Sequence, residues 1–292
     1  MLDRHALKAL MQAIGRGERT AFEQFYRDRA GPVYALTLRI LGDPDLATEA
    51  LQQTFVDIWR SATTGQSNWD MPDIECFRIA RRHAIELSMR SVTPPMDVTT
   101  MEMRNPVADG TASFELLHVM QCIGKMSDEC RNLFVQGFFD APVRNGYADK
   151  VALDTGDFQA LLRRCYAEYV SVSEVDNEVP DRNQDLLAMS QALGIARIPG
   201  EPVQAGFCQT WERRLAPLAE LLEPVAPPEG AFEAISMRLN IEANTERVAE
   251  SGRNAETWRA VLFVLIASVA AVLIYFGLLA ISDDASAASF RQ

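Results

Sequence analysis

The chain has 292 residues, enough for about two domains. A hydrophobic fraction of 48% is ordinary for globular protein, and a net charge of −12 speaks against a free nucleic-acid binder. No nucleophile elbow, Walker loop, glycine-rich dinucleotide turn or metal cluster is legible, which argues against an enzyme and against a cofactor. Through residues 1–92 helical periodicity dominates. Residues 19–29 carry Phe22, Phe25 and Tyr26 at i, i+3, i+4, and after "AGP" a second run puts Val33, Leu36 and Ile40 in register. "GDPD" reads as a break followed by a start, with Asp43 as cap and Pro44 in the first helical position. The next helix places Leu51, Phe55, Ile58 and Trp59 on one face, with Gln52, Gln53 and Asp57 off it. A polar loop with Trp69 follows. "ECFRIARRHAIELSMR" then turns Phe77, Ala80, Ala84 and Leu87 inward and clusters Arg78, Arg81 and Arg82 on one side.

Residues 93–113 are a Pro- and Thr-containing linker. From 114 to 173 the sequence predicts two helices, the second capped by Ser127 with Asp128 and Glu129 in its first turn, and then the rhythm of a helix-turn-helix ending in Arg163 and Arg164. Residues 174–206 read as an acidic linker with a short helix at "DLLAMSQALGI". Residues 174–256 hold 7 Lys/Arg against 15 Asp/Glu, whereas residues 1–92 hold 12 of each. The acidic part is either a solvated linker or a mask for a basic surface nearby. Next, Trp211, Leu215, Leu218 and Leu222 share a helix face, a Pro-rich bend follows, and Phe232, Ile235 and Leu239 line a second amphipathic helix.

Ala260 to Ile281 is uncharged over 22 residues. At the helical rise this covers about 33 Å, enough to cross a bilayer. Arg253 and Arg259 flank its near side, Asp283 and Asp284 its far side. The positive-inside rule then predicts a single pass in the cytoplasmic (inner) membrane, with the N-terminus cytoplasmic and residues 282–292 as an outer tail. The five cysteines are scattered and form no CxxC pair, which suggests a reduced compartment. His118 and Cys122 share a helix face, but two ligands do not make a zinc site, and no metal is expected.

Residues 17–91, with "AFEQFYRDRAGPVYALTLRILGDPDLATEALQQTFVDIWR" followed by "FRIARRHAIELSMR", resemble region 2 of the extracytoplasmic-function (ECF) sigma factors. The resemblance implies that Glu49, Gln52, Gln53 and Asp57 face the clamp helices of the largest subunit of core RNA polymerase. It also implies that Trp69, Arg78, Arg81, Arg82 and His83 sit near promoter DNA at the −10 element, where arginines attract phosphate and an aromatic ring stacks on an unpaired base. The family often has acidic residues where this chain has Thr48 and Gln53, and usually Asn where it has Arg82. Residues 114–173 resemble region 4, which reads the −35 element. Here, however, "GDFQALL" replaces the recognition run, so Asp157, Gln159 and Leu161 supply no groove-reading cations, and Arg163 and Arg164 remain as weak DNA contacts. Residues 207–240, with Trp211, Leu215 and Leu218, resemble the segment that precedes the membrane span in membrane-anchored anti-sigma factors.

The expected fold is all-α: a region 2-like bundle (1–92), a degenerate region 4-like module (114–173), juxtamembrane helices (207–256) and one transmembrane helix (260–281). The expected function is a membrane-tethered regulator of transcription initiation, held back by an anti-sigma-like segment. The alternative is an anti-sigma or decoy scaffold that never initiates transcription. The expected partners are core RNA polymerase, promoter DNA, the membrane, and a sigma or anti-sigma module within the chain or separate from it.

Overall fold

Asp3 opens the first helix, its carboxylate accepting from the Ala6 N–H at 2.8 Å. The computed structural model describes residues 2–65, 69–90, 103–140, 155–173, 181–194 and 203–239, and most of these are helical. Helices α1 (Arg4–Gly15), α2 (Arg19–Leu41), α3 (Pro44–Thr64) and α4 (Pro72–Arg90) pack as one bundle. Its core is the apolar set that the 3.6-residue period brings inward, with Leu7, Ile14, Phe25, Leu36, Leu51, Phe55 and Phe77 fully buried. Asp43 caps α3 by accepting from the N–H groups of Asp45 and Leu46, with Pro44 at the first position, as the sequence predicts.

α2 runs unbroken through "AGP", with Pro32 inside it. The proline ring removes one intrahelical hydrogen bond. The helix continues because Phe22, Phe25, Val33 and Leu36 on either side of Pro32 are all buried. Gly31, just before it, serves a later segment. The Val225 N–H donates to the Gly31 carbonyl at 3.3 Å. A Cβ on Gly31 would lie 3.4 Å from the Val225 oxygen, so glycine lets the two backbones meet.

The second module holds α5 (Phe114–Gly124), α6 (Asp128–Phe139) and α7 (Thr155–Val172). Residues 141–154, the first half of the expected helix-turn-helix, lie outside the described residues. Ser127 stands at the N-cap of α6, but its side chain makes no cap bond there. It turns instead to α7, where its N–H and hydroxyl both meet the Glu168 carboxylate. Phe134 and Tyr169 stack at 5.3 Å between α6 and α7. The same packing brings Cys130 and Cys165 together as a disulfide. The two are 35 residues apart in sequence, but their Cα atoms lie 5.0 Å apart.

Within the acidic stretch the short helix read at "DLLAMSQALGI" forms and is docked. α8 (Arg182–Ala192) buries Gln184, Asp185, Ala188, Met189 and Ala192, because its apolar side packs on α9 (Ala205–Leu215). α9 ends earlier than its apolar spacing suggests. Pro217 interrupts the run, and Ala216–Leu221 closes into a 3-10 turn that still buries Leu218. An extended stretch, 223–228, then crosses α2, and residues 231–239 form α10. Phe232 rests on Phe22 at 6.3 Å and on Tyr26 at 4.9 Å.

The chain divides into two units, Met1–Ile235 and Ser236–Gln292. The expected span 260–281 and tail 282–292 belong to the second and lie outside the described residues. Among the described residues no helix is long and apolar enough to cross a membrane.

Candidate functional site

The arginine-bearing side of α4 carries three of the cations expected to meet DNA, and the structure covers most of it. Arg78 donates through Nε to Glu75 at 2.8 Å and through a terminal nitrogen to Glu212 of α9 at 3.2 Å. Arg213, next to Glu212, pairs back to Glu75. Four charges thus alternate in sign between α4 and α9. Glu75 is only 3% exposed, so two guanidinium groups compensate its burial.

Arg81 is buried as well, and its hydrogen bonds among the described residues go to backbone carbonyls. Its guanidinium donates to the carbonyl oxygens of Gly137 at 2.9 Å and Phe138 at 3.1 Å on α6, and to that of Ala192 at the end of α8. It also lies over the Phe138 ring at 4.7 Å. Burial pulls its pKa down to about 10, against the pull of Glu212, so it stays charged at neutral pH. A rigid planar fork of donors suits this set of carbonyls, which a lysine could not match. One side chain of the first module therefore ties together the second module and α8.

Arg82 and His83 point elsewhere. Both meet Asp57 of α3, at 3.1 and 2.9 Å. The His83 hydrogen bond, with the charges of His83, Arg82 and Arg60, holds the Asp57 carboxyl below the usual carboxylate range against its partial burial. Arg82 is exposed, whereas His83 is buried. Glu49, Gln52 and Gln53 lie half-buried on α3, with Gln53 donating to Glu49 at 2.8 Å. Trp69 is half-buried, and its indole nitrogen has no hydrogen-bond partner among the described residues.

On α7, Arg163 is exposed, and Arg164 pairs with Glu129 of α6. Asp157 is exposed, while Leu161 is buried in the module's own core. Trp211 of α9 is fully buried against this helix, 5.1 Å from Tyr169 and 6.2 Å from Tyr166. Its indole N–H donates to Asp185 at 2.7 Å, and the Tyr166 hydroxyl donates to the other oxygen of the same carboxylate at 2.9 Å. Asp185 is 3% exposed and holds α7, α8 and α9 at one point. Leu215 and Leu218 are buried nearby.

Sequence reasoning missed Glu75, Glu212, Asp185 and Tyr166. Only the Glu75–Arg78 pair leaves a local signal, an i, i+3 spacing of opposite charges. The Arg78–Glu212 pair spans 134 positions and has none.

The described residues are built of small helical modules, with the arginine-bearing helix covered by a later segment of the same chain, and this defines a class: a multi-module helical protein. The curated relatives say which. The ECF RNA polymerase sigma factor SigK of Mycobacterium ulcerans (strain Agy99) is 34% identical over 164 residues, covering 54% of this chain and 88% of that protein. The protein of the same name from Mycolicibacterium vanbaalenii is 24% identical over 168 residues, covering 54% and 84%. That from Mycobacterium tuberculosis (strain ATCC 25177 / H37Ra) is 23% identical over 172 residues, covering 54% and 88%. The matched part is the N-terminal half. No family model matches the chain, and no solved structure matches it. The chain belongs to the ECF RNA polymerase sigma factors, and so to the regulators of transcription initiation rather than to the enzymes.

Proposed function

We propose that this chain is a membrane-tethered sigma factor held closed by its own anti-sigma-like segment. In the open state Glu49, Gln52, Gln53 and Asp57 meet the clamp helices of core RNA polymerase. Arg78, Arg81, Arg82 and His83 meet the −10 region of promoter DNA, with Trp69 beside an unpaired base. The observation that carries the reading is the covering of Arg78 and Arg81 by α6, α8 and α9, which leaves neither guanidinium free for phosphate. Region 4-like α7 contributes little to DNA binding, because its remaining cations are Arg163 and a paired Arg164.

The testing experiment is capture of core RNA polymerase and of a bubble template carrying a −10 element. Fragment 1–172 is expected to retain both, with the DNA lost as salt rises, and the full chain to retain neither. Equal capture by the two would remove the restraint from the reading. Polymerase capture by the fragment without any preference for the bubble would favour the decoy.

The tether rests on the uncharged 260–281 stretch and its flanking charges. A reporter active only outside the cytoplasm should work when fused after Gln292 and fail when fused after Ser173. The reverse pattern would place the regulatory modules on the wrong side of the membrane and end the proposal.

A further inference from the structure

A groove of about 380 Å³ opens where the two modules and α9 converge. That size falls at the lower end of the about 300–1,000 Å³ of small-molecule sites. Its apolar surface comes from Met71 and Ile74 beside and within α4, Phe114 of α5, Tyr169 of α7, and Pro217 just after α9. The ring of Tyr169 is already engaged by Phe134 and Trp211, so an edge of it is what remains for the groove. Met71 is 42% exposed and Phe114 78% exposed, an unusual cost for two large apolar side chains at one edge.

The opposite side is cationic. Arg213 and Arg214 follow one another at the end of α9 and both line the groove. Arg213 is tied through Nε to Glu75. Arg214 lies over the Trp211 ring at 4.9 Å and pairs with no carboxylate among the described residues. Glu115, the carboxylate on this wall, is held by both terminal nitrogens of Arg4, at 2.6 and 2.7 Å. Charge and shape therefore favour a ligand with one anionic end and an apolar body.

We propose that the groove binds an amphipathic organic carboxylate, its anionic end on Arg214 and Arg213 and its apolar body on Met71, Phe114 and Tyr169. Three separate parts of the chain build the walls. The ligand therefore binds the arrangement in which α9 is docked and not one from which α9 has left. Binding to one state only shifts the equilibrium by mass action, about 100-fold toward the docked state when free ligand stands at 100 times its Kd. Such a ligand acts as a small-molecule restraint on the regulator. The site stands whether or not the chain binds polymerase.

The probe is 2-naphthoate, titrated calorimetrically into the full-length chain in detergent micelles, with 2-naphthamide as the uncharged analogue. One saturable site is expected, with the amide about tenfold weaker or more, the loss that follows when a charge-assisted hydrogen bond is removed. Arg214→Gln should weaken naphthoate by a similar factor and leave the amide unchanged, while Arg214→Lys retains most of the difference. Thr210 is exposed and lines the groove, with its hydroxyl bonded within α9 to the Gly206 carbonyl at 2.9 Å. Thr210→Trp should fill the groove and abolish binding of both probes while circular dichroism stays unchanged. Heat no different from that of empty micelles overturns the proposal. So does equal affinity for acid and amide, or binding that survives Thr210→Trp in a folded chain.

Discussion

Trp211→Ala is expected to destabilise the docking of α8 and α9 by about 3–5 kcal/mol, the usual cost of truncating a fully buried large aromatic. The indole fills the space against Tyr166 and Tyr169, and its N–H is one of two donors to a buried carboxylate. Removing it leaves a cavity and leaves the Tyr166 hydroxyl as the remaining side-chain donor to Asp185 among the described residues. Trp211→Phe keeps most of the volume and removes the N–H, so it isolates the second effect, expected at about 1–3 kcal/mol. If the docked segment restrains the regulator, both changes should raise capture of core RNA polymerase by the full chain while lowering its urea midpoint, alanine more than phenylalanine. A lowered midpoint with capture unchanged would show that α9 stabilises the fold without limiting access to it.

Three helices of the first module were legible because α2, α3 and α4 each carry their own period and α3, at Asp43–Pro44, its own start signal, whereas α1 was not placed. Pro32 stands inside α2 without ending it, because the helix is buried on both sides of it. The Trp211 segment could be read as amphipathic, but not as facing α7, since amphipathicity gives a face and not a partner. The arginines of α4 pose the sharpest case. Their spacing shows a cationic cluster, and a cluster in a chain of this family suggests phosphate. Yet Arg78 and Arg81 are covered by groups 56 to 134 positions away, and Arg82 is exposed beside Asp57. Helical phase sets Arg81 at the border of the apolar face and Arg82 opposite it, but it does not say which partners meet Arg81. The disulfide has the same origin: Cys130 and Cys165 look scattered until α6 and α7 pack.

That difference between neighbouring arginines sets up an expected result of opposite sign to the one the cluster alone suggests. Arg81→Ala should destabilise the full chain by several kcal/mol, because it strips donors from buried carbonyls of Gly137, Phe138 and Ala192, at about 1–3 kcal/mol for each acceptor left unsatisfied. Arg82→Ala loses an exposed pair with Asp57 and should cost about 0–1 kcal/mol. Arg81→Lys should fall between, since one ammonium cannot reproduce the fork that reaches two helices. Urea unfolding of the three variants measures this order. DNA retention by fragment 1–172 with polymerase should rank the residues differently. Once α8 is absent, Arg81 loses its Ala192 partner, and Arg82 remains exposed in either state. Arg82→Ala is thus the cleaner probe of a phosphate contact, and loss of bubble binding there, without loss of stability, would assign it to DNA. An Arg81→Ala chain as stable as Arg82→Ala would mean that its guanidinium does not join the modules, and the covering of α4 would then need another cause.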